Sequence, residues 1–158
     1  MKQKAKIKRE HTAPWECTLA KEEKSECKSG SVPKSDKKYF EILTLCVLQA
    51  GLGWGMLRKN WKRYKRGFLN FDINKLARAD TDDLLKNKDT IKNRKKIMAI
   101  IENAKEFEKI KIEHGSFANF LNSLKEENDD QIIVQLTQRF SHLGTYSAEY
   151  FLHSVGYW

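Results

Sequence analysis

YFEILTLCVLQAGLGWGMLRKNWKRYKRGFLNFD, residues 39–72, decides the fold class. Apolar side chains at Tyr39, Phe40, Ile42, Leu43, Cys46, Val47 and Ala50 recur at three- and four-residue steps, the period of a helix buried along a broad face. Asp36 stands ahead of them as the predicted N-cap, and Gly51 and Gly53 break the run into a corner. Beyond the corner, Trp54, Leu57, Trp61, Tyr64 and Phe68 repeat the helical step. Arg58, Lys59, Lys62, Arg63, Lys65 and Arg66 take the other side, which predicts a second amphipathic helical segment from about Trp54 to Phe68 with a cationic face.

Outward from this stretch the same period continues. Asp72 is predicted to cap a short helix reaching Ala79, and Thr81, with Asp82 and Asp83, to cap another. The longest helix carries a stripe of Ile91, Ile97, Ile100, Ile101, Ala104, Phe107, Ile110 and Ile112 and stops at His114 and Gly115. Ser116 caps a helix from Phe117 to Leu124, an acidic linker over 126–130 leads into Ile132 to Phe140, and a last helix runs from near Thr145 to Val155. No alternation long enough for a strand interrupts these segments, so the expected fold class is all-α. Residues 1–35, rich in lysine and poor in apolar side chains, are expected to form a flexible basic arm ahead of one helical domain over 36–158.

A chain of 158 residues with 40% hydrophobic and 11% aromatic content suits one core. Thirty Lys and Arg against 21 Asp and Glu leave a formal charge of +9, which points to a polyanionic partner and first of all to nucleic acid. No apolar run approaches the length of a membrane span, and MKQKAKIKRE lacks the apolar centre of a signal peptide. The expected location is therefore intracellular, cytoplasmic in a prokaryote or nuclear in a eukaryote. Cys17, Cys27 and Cys46 form no CxxC pair, and their spacing to His11 fits no usual zinc pattern, so neither a disulfide framework nor a metal site is expected.

Two segments carry candidate chemistry. In FSHLGTYSAEYFLHSVG, residues 140–156, Gly144 joins two helices and Thr145, Tyr146 and Ser147 open the second. Such a turn serves either as a plain helix terminus or as a site where backbone amides approach a phosphate. In CVLQAGLGW, residues 46–54, Gln49 and Trp54 flank the glycine corner. They are either core and cap, or an amide and a π face that hold an extruded base. Cys46, on an apolar helix without a neighbouring His or cation, reads as a small hydrophobe rather than a nucleophile.

The stretch 39–72, followed by IKNRKKIMAIIENAKEF (91–107), HGSFANFL (114–121) and the closing 140–156 segment, resembles the ordered blocks of the DNA-3-methyladenine glycosylase I family. Gln49, Gly51, Trp54, Arg94, Lys96, Asn103 and Gly144 sit on matching positions. The resemblance implies a helix-hairpin-helix glycosylase fold that excises alkylated purines such as 3-methyladenine by base flipping, with no cofactor. It implies a monomer acting on double-stranded DNA. Cys46 stands where the family has an acidic residue that contacts the base, and is carried as a catalytic position with Gln49; Trp54 is the stacking residue. Arg63, Lys92, Arg94, Lys96, Gly144, Thr145 and Ser147 are the expected DNA contacts. The family's Tyr-His-Asp and Glu-Trp-Gly stretch is represented only by Val32, Pro33 and Asp36, and Trp158 precedes its C-terminal zinc ligands, so no zinc is expected. No acid follows Glu149 in this sequence, so the catalytic aspartate that other helix-hairpin-helix glycosylases carry after the hairpin is not expected. The alternative to an active enzyme is a weak or inactive DNA-binding relative that recognises lesions or DNA shape.

Overall fold

The computed structural model describes residues 30–157, and among them the regular elements are all helical. They are α1 (Asp36–Leu52), α2 (Trp54–Lys59), α3 (Trp61–Gly67), α4 (Ile73–Ala77), α5 (Thr81–Lys86), α6 (Arg94–His114), α7 (Phe117–Ser123), α8 (Asp129–Arg139) and α9 (Thr145–Ser154). No described helix is long and apolar enough to cross a membrane.

α6 is the axis, packed by α1, α4, α5 and α7, while α9 lies against α1 and α8. Aromatic rings join these helices. Phe107 of α6 stacks on Phe117 of α7 at 4.5 Å, Phe40 of α1 meets Phe107 edge-on at 5.2 Å, and Phe151 of α9 meets Phe117 edge-on at 5.9 Å. All four rings are fully buried, so each contributes roughly 1.5–3 kcal/mol through burial and each ring pair about 0.5–1.5 kcal/mol more.

Side-chain caps set most boundaries. Asp72 accepts from the Lys75 amide at 2.9 Å and Ser116 from that of Asn119 at 3.0 Å, as the sequence predicts. Asp80, one residue before the expected Thr81, caps α5 by accepting from the Asp83 amide at 3.1 Å. The cap of α1 is likewise displaced. Ser35 accepts from the Lys38 amide at 3.2 Å, and the Asp36 carboxylate instead accepts from the Phe117 amide at 3.0 Å, tying the start of α1 to the start of α7.

Two expectations need correction. The segment from Trp54 to Phe68 is two helices, because the chain leaves helical geometry at Asn60 (φ −106°, ψ 14°), whose side-chain amide donates to the Met56 carbonyl at 3.1 Å. Ile112 is 87% exposed and lies outside the α6 stripe, since two residues beyond buried Ile110 a helix has turned about 200°.

Of the expected arm, residues 1–29 lie outside the described residues. Gly30 is buried, and its amide donates to the His153 carbonyl at 2.8 Å. The approach is so close that a Cβ on Gly30 would overlap the Ser154 carbonyl oxygen.

Candidate functional site

The turn from α8 to α9 is gripped from α6. Asn103, buried on α6, accepts from the Ser141 amide at 2.7 Å and donates to the Ser141 carbonyl at 3.1 Å, satisfying both backbone groups of one turn residue. Arg139, the last residue of α8, donates from Nε to Glu106 at 2.5 Å and also bonds Glu113, with its guanidinium carbon 4.9 Å from the Phe120 ring centroid. The hydrogen bond from Arg139 pulls the Glu113 carboxyl below its ordinary range.

On this support the turn passes through exposed His142 in the left-handed region (φ 58°) and reaches Gly144, the N-cap of α9. Gly144 has an ordinary extended backbone (φ −83°, ψ 176°), and a Cβ there would meet nothing within 4 Å. Neither conformation nor internal packing demands glycine; its absence of a side chain leaves the first turn of α9 open. No side chain caps that turn. Its amides and the positive end of the helix dipole therefore suit an anion. Gly144 and Thr145 are exposed and Ser147 is buried, so any approach of Ser147 to an anion is by its backbone.

The glycine corner is the second part. α1 leaves helical geometry at Ala50 (ψ 112°), and Gly51 (φ 91°) and Gly53 (φ 79°) take the left-handed backbone that turns the chain into α2. Lys96, in the first turn of α6, is buried rather than displayed. Its ammonium donates to the Leu48 carbonyl at 3.2 Å and to the Ala50 carbonyl, filling the end of the kinked helix. Desolvation by burial pushes the Lys96 ammonium below its usual range. The expected surface contact at Lys96 is thereby corrected: the side chain holds the corner.

That corner carries Gln49 and Trp54, both half-buried. The Trp54 ring lies 4.9 Å from that of Tyr150 on α9, tilted by 32°, and its buried Nε1 has no hydrogen-bond partner among the described residues. The two rings are in direct contact, so a base reaches Trp54 only by its other face. Cys46 is 1% exposed within the apolar core, and burial pushes its thiol far above the usual range, so it presents neither a charge nor a thiolate.

The remaining cations are exposed but already engaged. The Arg63 guanidinium sits over the Tyr64 ring at 5.2 Å, Lys92 donates to the Leu85 carbonyl at 2.6 Å, and Arg94 pairs with Asp82 at 2.6 Å. An exposed ion pair of this kind is worth roughly 0–1 kcal/mol and is readily exchanged for a phosphate. Among the described residues no group of His, Cys, Asp and Glu comes together as metal ligands, and His11, Cys17 and Cys27 lie outside them. Tyr150 and the grip of Asn103 were not assigned from sequence. The visible signal for Tyr150 is its four-residue spacing from Tyr146, which puts both aromatics on one helical face.

Residues 28–149 match the model of the methyladenine glycosylase family. A DNA-3-methyladenine glycosylase of Haemophilus influenzae is 33% identical over 98 residues, 60% of this chain and 53% of that protein. DNA-3-methyladenine glycosylase 1 of Escherichia coli is 35% identical over 94 residues, 57% of this chain and 50% of that protein. The chain thus spans about half the length of these curated relatives. A crystal structure of a variant 3-methyladenine DNA glycosylase I in complex with 3-methyladenine superposes with a TM-score of 0.71 at 27% identity, covering 81% of each chain.

Proposed function

The chain belongs to the methyladenine glycosylase family, and from that premise we propose that it hydrolyses the N-glycosidic bond of alkylated purines, such as 3-methyladenine, in double-stranded DNA. One observation carries this reading. The open first turn at Gly144 and the Tyr150 ring that backs Trp54 belong to the same helix, α9, five to six residues apart. At 1.5 Å per residue the turn lies about 7.5–9 Å along α9 from Tyr150, with Trp54 packed beside that ring, so a phosphate at the turn and a base on Trp54 are separated on the scale of one extruded nucleotide.

A purine methylated at N3 is cationic. The C1′–N9 bond breaks with its electron pair going to N9, which neutralises the base as it departs. Water supplies the new bond to C1′ and releases a proton to solvent. The face of Trp54 turned away from Tyr150 is the one to attract the cationic base by cation–π stacking and hold it out of the duplex. Gln49, half-buried beside the corner, offers an amide to the base edge. Arg63, Lys92, Arg94, Gly144, Thr145 and the Ser147 backbone bind phosphates, Arg94 exchanging Asp82 for DNA.

A second reading is favoured by the sealed, uncharged Cys46: without the family's carboxylate, the chain binds lesions and does not excise them. Incubation with methylated DNA separates the two. Free 3-methyladenine released above the spontaneous rate supports the enzyme, whereas lesion binding without release supports the second reading.

A further inference from the structure

We propose that Tyr146 is a stacking platform for an unpaired DNA base, set between the phosphate-binding turn and Trp54. This rests on the glycosylase proposal and adds to it a residue that selects DNA with an unstacked base over intact duplex.

Among the described residues, every phenylalanine is buried and Tyr146 is the one exposed tyrosine, at 57%. It lies two residues after Gly144, in the first turn of α9. Its ring is 5.7 Å from that of Tyr150, which in turn is 4.9 Å from that of Trp54. The three rings make a continuous ladder from solvent beside the open helix end to the half-buried indole at the glycine corner. Tyr150 is the packed middle rung, 3% exposed, so it fixes the outer ring relative to the inner one.

The chemistry of the exposed rung identifies its ligand. A neutral ring beside an anion-suited turn, on a chain of charge +9, meets an unpaired base next to or opposite the nucleotide whose phosphate the turn holds, distinct from the alkylated base on Trp54. Every base offers a π face, so stacking on an aromatic ring is tolerant of sequence. In intact duplex both faces of each base are covered by neighbours. Tyr146 therefore gains a contact only where a base has lost its partner or its stack: at an abasic site, at a mismatch or in a single strand. The phenol hydroxyl plays no part in this contact, and phenylalanine should replace tyrosine.

The test is the affinity of wild type, Tyr146→Ala and Tyr146→Phe for two duplexes at one salt concentration, one intact and the other carrying a tetrahydrofuran abasic-site mimic. Wild type should prefer the abasic duplex, and Tyr146→Ala should lose on the order of tenfold of that preference. Its affinity for intact duplex, its salt slope and its helical circular dichroism should stay unchanged, and Tyr146→Phe should restore the preference. An Ala variant that keeps the wild-type preference, or that loses affinity equally for both duplexes, overturns the role of Tyr146 and leaves the glycosylase reading standing. Wild-type protein that binds neither duplex overturns both.

Discussion

The side-chain amide of Asn103, buried in the middle of α6, pairs with both backbone polar groups of Ser141, at 2.7 and 3.1 Å. One side chain thereby joins the central helix to the turn that presents Gly144. Asn103→Leu fits a similar volume but leaves the two Ser141 groups without their partner. The expected loss is about 2–6 kcal/mol, at roughly 1–3 kcal/mol for each of the two unsatisfied groups. Urea unfolding measures it. DNA affinity should fall as well under conditions where the variant is fully folded, and unchanged affinity would remove the turn from the interface.

Gly30 and Gly144 should respond oppositely to alanine. At Gly30 the new Cβ overlaps the Ser154 carbonyl oxygen, so Gly30→Ala should destabilise the fold by about 1–3 kcal/mol. At Gly144 the Cβ enters open space and the backbone is ordinary, so Gly144→Ala should leave the melting temperature unchanged while weakening DNA binding. Thermal melts paired with a binding titration read both effects.

Lys96 gives a pH signature. Its folded-state pKa is depressed by burial, so between that depressed value and the ordinary lysine value near 10.4 the unfolded chain binds the extra proton. The contribution of Lys96 to stability is therefore greatest above that window and declines as pH falls through the folded value. The stability gap between wild type and Lys96→Met should widen from pH 8 towards pH 10. Trp54 emission should also shift in the variant at every pH, because the Leu48 and Ala50 carbonyls that set its corner lose their donor.

Cys46 should resist alkylation. The thiolate is the reactive form, and burial lifts its pKa far above assay pH, so iodoacetamide at pH 8 should leave Cys46 unmodified in the native protein and label it in guanidinium. Peptide mapping by mass spectrometry reads the site. Native-state labelling would show that this position opens to solvent.

The helical period and the short caps were legible because each depends on neighbours three or four residues away. Asp72, Ser116 and the glycines at 51 and 53 are such local signals. What escaped depends on distant partners. Asp36 has the composition of a cap for α1, yet its carboxylate serves an amide 81 residues on. Lys96 in a basic run reads as a surface charge, and only the carbonyls left by the kink 46 residues earlier make its burial tolerable. Leu69, Asn70 and Phe71 take three successive left-handed conformations with no glycine to announce them, accompanied by burial of Phe71 against Trp61 at 5.3 Å. At the site, Trp54 was visible as an aromatic beyond a glycine corner, whereas Tyr150 became meaningful only once α9 lay against α1.

The most direct measurement is chromatographic detection of free base from methylated duplex DNA incubated with wild type and with Trp54→Ala, alongside the binding of each to the same DNA. Wild type should release 3-methyladenine faster than the spontaneous rate. Trp54→Ala should lose ~10- to 100-fold of that rate, the worth of one stacked base, while its DNA affinity stays within a few-fold because phosphate contacts dominate binding. Wild-type protein that binds the methylated duplex yet releases no base above the spontaneous rate would contradict the assignment of this chain as a glycosylase.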